Sequence, residues 1–237
     1  MVMLDIGDVL PDFPAYRVAL VAAWDLRVAV ERSADLAEAV DKAERTVATL
    51  FGATPPAEIP SIKLWRDAYR AFGVKKTSYR SSAERLLRSV QQGRGLPRVN
   101  TLVDAYNAIS ALHLMPVGAD DLEKIVPPLA FRRARPGDSF VALGDDSARD
   151  DPPKDGEIVY ADAQKLLCRR WNWYQDGRGA VSAETTRAVL TVQSLTPAPA
   201  VERAAAELCD WIADHCGGGT AWAVAEAGTP RVTVREN

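Results

Sequence analysis

The sequence predicts an α+β fold, helical in its first half and built on a mixed β-sheet in its second. Three observations carry this. Between Ser33 and Leu112 apolar residues recur at intervals of three and four in stretches that begin at capping residues and end at glycine or proline. After Pro116 the apolar runs shorten and are separated by turn signals such as Pro136-Gly137, Gly144-Asp145, Asp155-Gly156 and Asp176-Gly177. The 237 residues are 47% hydrophobic and 26% charged, a globular balance with enough apolar material for a sizeable core. Helices gathered before strands are the α+β pattern, and residues 1–237 are expected to form one domain.

Each element has a local cause. Phe13–Val21, rich in Val, Tyr and Leu, reads as a buried strand. Ser33 is placed to cap a helix whose apolar face is Leu36, Val40, Ala43, Val47 and Leu50, stopped by Gly52 and Pro55-Pro56. Ile62, Trp65, Ala68, Tyr69 and Phe72 define a second helix over Ser61–Phe72, closed by Gly73. Ser81 and Glu84 have capping-box spacing and open a third, with Leu86, Leu87 and Val90 inward. A fourth covers Asn100–Leu112, burying Leu102, Val103, Tyr106 and Ile109. Strand-like runs follow at Leu129–Phe131, Ser139–Leu143, Glu157–Tyr160, Leu166–Trp171 and Ala188–Val192. Asp145–Asp155 reads as an exposed loop, Val201–Cys216 as an Ala-rich helix ended by Gly217-Gly218-Gly219, and Thr220–Val234 as a last strand.

Composition narrows the chemistry. The longest apolar run, Val18–Trp24, falls far short of the ~20 residues of a bilayer span, so no membrane partner is expected. The first residues lack the basic start and apolar core of a signal peptide, and Cys168, Cys209 and Cys216 cannot all pair with one another, which fits a reduced, cytoplasmic setting. With His113 and His215 the only histidines and no H-E-x-x-H, G-x-x-x-x-G-K-[ST], G-x-G-x-x-G or G-x-S-x-G, neither metal nor cofactor is expected. His113 reads as a hydrogen-bonded structural residue and Cys168 as no nucleophile without a histidine partner.

Charge is uneven. Lys63–Arg98 holds ten bases and two acids, a balance of 10 − 2 = +8, which leaves −3 − 8 = −11 for the rest. Lys63, Arg66, Arg80, Arg88 and Arg94, interleaved with Trp65, Tyr69 and Tyr79, suit a phosphate backbone with occasional base stacking. A solvated helical face paired with the acidic remainder would also account for them.

Two segments resemble one family. Val103-Asp104-Ala105-Tyr106-Asn107-Ala108-Ile109, followed by Pro116-Val117-Gly118-Ala119-Asp120-Asp121, resembles V-D-x-T-N-Y-V … P-M-H-A-F-D of the bacterial phenylalanyl-tRNA synthetase β subunit. Val181-Ser182-Ala183-Glu184-Thr185-Thr186-Arg187-Ala188-Val189-Leu190-Thr191 resembles its V-x-x-E-T-x-x-V-L-L-E stretch. Both lie in the B3/B4 domain, which removes wrongly attached amino acid from tRNA. Free-standing bacterial proteins built around that domain share Trp65-Arg66-x-Ala68-Tyr69-x-x-Phe72-Gly73, Gly156-Glu157-Ile158-Val159-Tyr160-Ala161-Asp162 and Cys168-Arg169-Arg170-Trp171-Asn172-Trp173. The likeness spans about residues 62–195.

The resemblance implies a B3/B4-like fold, tRNA as partner and an aminoacyl or amino-acid-like group as small-molecule ligand. The family's pocket histidine and its tyrosine-reading glutamate fall at Gly118 and Thr191, which implies a different substrate. Asp104, Asn107, Glu157 and Asp162 are the candidate catalytic set, as bases, donors or an amine anchor, and Arg169, Trp171, Asn172 and Gln175 the candidate pocket wall. Two function classes stay open: a deacylase for misacylated tRNA, and a non-catalytic module that binds tRNA or an amino-acid-like ligand. A metabolic enzyme acting without RNA is a third. The amino acid, the tRNA and the oligomeric state are not legible.

Overall fold

A computed structural model describes residues 1–76, 78–144, 150–196 and 200–236. In chain order the elements are β1 (Val2–Asp5), β2 (Arg17–Trp24), α1 (Ala34–Phe51), α2 (Pro60–Ala71), α3 (Ser82–Gln91), α4 (Thr101–His113), β3 (Val117–Asp121), β4 (Leu129–Arg133), β5 (Ile158–Ala161), β6 (Leu166–Arg169), β7 (Tyr174–Gln175), β8 (Ala188–Ser194), α5 (Ala200–Cys216), β9 (Gly219–Ala225) and β10 (Arg231–Val234). The helices start where their caps lie. Ser33, Ser81 and Asn100 accept the N–H of Leu36, Glu84 and Val103 at 3.2, 3.4 and 2.9 Å, whereas α2 starts on Pro60, whose missing N–H costs nothing there.

The strands form two sheets rather than the single mixed sheet expected. One is six-stranded, in the order β10-β1-β4-β5-β6-β7, with only β1 and β4 parallel; the other is four-stranded, β3-β8-β2-β9, and antiparallel throughout. Alternation along β2 explains why it reads as a continuous apolar run. Val18, Leu20 and Ala22 face Leu4, Leu129, Phe131 and Ile158 of the other sheet, while Ala19, Val21 and Ala23 face α4 and α5. Beyond α4, a helical layer joins α1, α2 and α3 through Leu36, Val40, Ile62, Leu87 and Ala108. The chain is thus an α+β unit of two facing sheets with helices stacked on one outer side, and α2 also reaches the inter-sheet core through Trp65 and Tyr69.

Several expectations need correction. The sequence does not predict β1, which pairs with β10 and β4, so its four residues show their role only once distant strands are in place. The strand expected at Phe13–Val21 begins at Arg17 and runs on to Trp24, and Leu50 is 61% exposed instead of lying on the buried face of α1. Among the described residues Ser139–Leu143 makes only isolated bridges, Val141 to Asp150 and Ala142 to Asp176. The run Leu166–Trp171 is strand only to Arg169, because Arg170 and Trp171 take φ of 47° and 67° and turn the chain. Thr220–Val234 contains two strands, which belong to different sheets. Of the loop read over Asp145–Asp155, residues 145–149 lie outside the described residues.

Candidate functional site

Where the β3 side of the small sheet meets β5, β6 and β7 of the large one, the two leave a cavity of about 260 Å³. Strand alternation decides what enters it. On β3, Val117 and Ala119 pack toward the helices, so Gly118 and Asp120 turn to the cavity; on β8, Leu190 and Val192 do the same, and Thr191 and Gln193 turn inward. Tyr160, Leu167, Cys168, Tyr174 and Gln175 come from the opposite sheet, Asn172 and Trp173 from the turn between β6 and β7, and Tyr106 and Asn107 from α4. Ser82 and Arg85 of α3 complete the mouth.

The floor is a connected polar chain. Tyr69 donates to Asn172 Oδ1 at 2.8 Å, Asn172 Nδ2 and the Tyr16 hydroxyl each donate to Gln193 Oε1 at 3.1 Å, and Gln193 Nε2 donates to Thr191 Oγ1 at 3.4 Å. Gln175 Nε2 is held by the carbonyl of Ala119 at 2.6 Å and by Asp120 Oδ1 at 3.1 Å. Gly118 stands opposite Thr191 in the β3–β8 register, and a Cβ built on it meets nothing within 4 Å. The positions that match the synthetase histidine and glutamate are therefore cross-strand neighbours on the cavity wall, and the first is open space.

Burial sets the protonation of this wall. It pushes the Asp120 carboxyl up to about 7, against the opposing Gln175 hydrogen bond and Lys165 charge and with help from Asp176 and Asp162. Burial likewise raises the Tyr106 and Tyr160 hydroxyls and the Cys168 thiol, with the Asp120 charge second for Tyr106, Tyr160 and Cys168 alike, so all three stay neutral and Cys168 is a poor nucleophile.

Through Ser82, Arg85 and Asn107 the cavity opens into a groove of about 640 Å³. Arg80, Arg85, Arg88 and Arg94 line this groove, and no acid among the described residues does. Beneath it Glu84, its side chain 1% exposed, takes Arg66 at 2.6 Å, Arg88 at 2.9 Å and Arg80 at 3.0 Å. Burial alone would push the Glu84 carboxyl up, but the Arg66 and Arg88 hydrogen bonds outweigh it and hold the group below its ordinary value. One carboxylate thus orders three guanidiniums and leaves the surface strongly positive.

Residues 64–217 match the profile of the B3/4 domain. This chain belongs to the B3/4 domain family. Among solved structures it is similar to an N-terminal fragment of the phenylalanyl-tRNA synthetase beta-subunit from Pyrococcus horikoshii, at 14% identity and a TM-score of 0.49, over 92% of this chain and 50% of that one. It thus spans about half the length of that fragment. No curated protein matches it.

Within this B3/4 chain the expected site residues divide. Asn107, Gly118, Asn172, Gln175 and Thr191 meet at the cavity, with Trp173 as its apolar side. Asp104, Glu157 and Asp162 do not, and this corrects the candidate catalytic set. Asp104 accepts Arg32 Nε at 2.6 Å and the Val99 N–H at 3.0 Å, bracing the start of α4, so only Asn107 of that pair reaches the cavity. Glu157 is spent on Arg169, at 3.0 and 2.9 Å, and on the Arg170 N–H at 2.9 Å. Asp162 gathers the N–H groups of Val126, Gln164 and Lys165 and the Lys165 ammonium; burial opposes its ionisation, yet these bonds hold its carboxyl below the ordinary value. Arg169 is locked to Glu157 and Asp151, and Trp171, fully buried, packs on Phe13, Tyr16, Trp65 and Phe72. Neither is a cavity wall.

Of the basic residues, Arg80, Arg88 and Arg94 line the groove, Arg66 lies one step behind on Glu84, and Lys63 is exposed on α2 away from it. Asp120, Tyr160, Gln193 and Arg85 were missed. The signal for two of them was present: a residue two positions along a strand shares its neighbour's face, so Gly118 implied Asp120 and Thr191 implied Gln193. Among the described residues no three His, Cys, Asp or Glu side chains are placed to hold a metal ion, and no helix is long and apolar enough to cross a membrane.

Proposed function

We propose that this chain binds tRNA and hydrolyses the ester that joins a wrongly attached amino acid to it. The observation that carries this is the junction at Ser82, Arg85 and Asn107, where a small polar cavity opens into an arginine-lined groove. An aminoacyl-tRNA end has that same division: a polyanionic strand suits the groove and a compact uncharged ester with its amino acid suits the cavity. Hydrolysis of so activated an ester asks for a positioned water and donors toward the developing oxyanion. Asn107 and Arg85 are the donors at hand, since Gln175 is spent on the Ala119 carbonyl and Asp120. Water adds to the carbonyl carbon, the ribose oxygen leaves with one of its protons, and the other is released with the carboxylate.

A second reading, a module that binds such ends without cleaving them, is favoured by Gly118 and Thr191 in place of a histidine and a glutamate, and by the neutral thiol of Cys168. Deacylation of a panel of aminoacyl-tRNAs by the chain and its Arg85→Ala, Asn107→Ala variant separates the two. Turnover lost in the variant is expected. Binding with no turnover of any member establishes the module, and neither binding nor turnover removes both readings.

A further inference from the structure

Two groups in the cavity have work left undone. Asp120 is 4% exposed, and its Oδ1 is fixed by Gln175 and lies so close to the chain that a Cβ on Gly179 would meet it at 2.8 Å. Among the described residues no donor reaches its Oδ2. Tyr160, also 4% exposed, has a fully buried hydroxyl with no hydrogen-bond partner among the described residues. Both line the same cavity, together with the rings of Tyr106, Trp173 and Tyr174. An anionic oxygen, a lone hydroxyl and aromatic surface in a partly enclosed space make a receptor for a small cation rich in N–H groups, since such a group meets the carboxylate by charge-assisted hydrogen bonds and the ring faces by cation–π attraction.

We infer that Asp120 and Tyr160 form a binding site for the primary ammonium group of an amino-acid-like ligand. This rests on the cavity reading given under Proposed function and names what the interior selects: positive charge inside, with negative charge in the groove outside. Asp120 replaces Glu157 and Asp162 as the amine anchor. The charged and titratable groups around it are Lys165, Asp162 and Asp176 on the side of the large sheet, Tyr160 on β5, Cys168 on β6, Tyr106 on α4 and Arg85 on α3; of the two cations, Lys165 is tied to Asp162 at 2.8 Å and Arg85 stands at the mouth, where it donates to the Trp173 carbonyl at 3.0 Å. An ammonium ion seated against Asp120 ionises it, so binding below pH 7 expels a proton.

The test needs no RNA. Calorimetry on the full chain with L-alaninamide, N-acetyl-L-alaninamide, lactamide and Nα-acetyl-L-lysinamide distinguishes the sources of the amine. Binding of L-alaninamide with rejection of its acetyl and hydroxyl counterparts assigns the α-ammonium; binding of the lysinamide alone assigns a side-chain ammonium. At pH 6 about one proton is released per ligand bound; at pH 8.5 the lysinamide releases almost none, whereas L-alaninamide, whose own ammonium titrates at about 8, takes up a proton. Asp120→Asn is expected to weaken binding by about tenfold or more and to abolish proton release, and Tyr160→Phe to weaken it about threefold to tenfold. Equal binding of lactamide, unchanged affinity in Asp120→Asn, or no binding by any probe overturns the inference. Because the probes carry no phosphate, those results stand apart from the tRNA reading, which fails separately if tRNA is neither bound nor deacylated.

Discussion

Neutralising Arg80, Arg88 and Arg94 together puts the groove to a quantitative test. The groove presents four guanidiniums, and each phosphate neutralised adds about 0.7 for single strands or about 0.9 for helical nucleic acid to the slope of log affinity against log salt. Four contacts give a slope of about −3, so raising salt from about 50 to about 200 mM weakens tRNA binding roughly sixtyfold. The triple alanine variant keeps Arg85 alone; its slope is expected near −1, with about a fourfold loss over the same range. Glu84 is not orphaned by the change, because Arg66 still donates to it at 2.6 and 2.9 Å, so the melting temperature reports whether the fold survived. Fluorescence anisotropy of end-labelled tRNA across this salt range is the assay. A folded variant with the wild-type slope places the phosphates on another face and refutes the groove.

Other outcomes follow from single contacts. Glu84→Gln strips three arginines of their shared anion, and since these keep side-chain exposures of 26–32%, water recovers part of the loss: about 2 kcal/mol is expected, or a fall of roughly 4–8 °C in a calorimetric melt. Gly118→His meets no atom within 4 Å of its Cβ, so stability should move by less than about 1 kcal/mol while the imidazole fills the cavity and excludes larger aminoacyl groups from turnover. Without an acid at Thr191 the chain is expected to show no preference for tyrosyl-tRNA in the deacylation panel; a strong preference would overturn the substrate argument. Asp120 keeps its proton to about pH 7 in the folded chain but to only about pH 4 when solvated, so stability falls as pH rises between those values. Asp120→Asn, whose amide oxygen still accepts from Gln175, should therefore match wild type near pH 4 and gain on it by up to about 4 kcal/mol at pH 8, read from denaturant midpoints.

What was legible in the chain divides along physical lines. The four early helices could be read because caps and apolar spacing are local: Ser33, Ser81 and Asn100 act within three residues of themselves. β1 was not, because four residues carry little periodicity and their partners lie at Val232, Val234 and Leu129. The family segments placed Asn107, Gly118, Asn172, Gln175 and Thr191 on one cavity although they span some eighty residues. Acids chosen by chemical type alone fared worse. Asp104, Glu157 and Asp162 look available on paper; the first two are consumed by Arg32 and Arg169, which only the folded chain brings near, and Asp162 is taken up largely by its own neighbours Gln164 and Lys165.

The turn at Arg170 and Trp171 anchors one wall of the cavity in the core between the sheets. Trp171 is sunk among four aromatic rings and its N–H is bonded to the Ile158 carbonyl at 2.6 Å, while Arg170 sits 3.9 Å from the Tyr79 ring centre and 4.4 Å from that of Trp173. The next residues along, Asn172 and Trp173, are cavity wall. That wall has no hinge of its own, so its amide hydrogens should exchange with solvent only when the whole chain opens, and ligands must enter and leave by the mouth between α3 and α4.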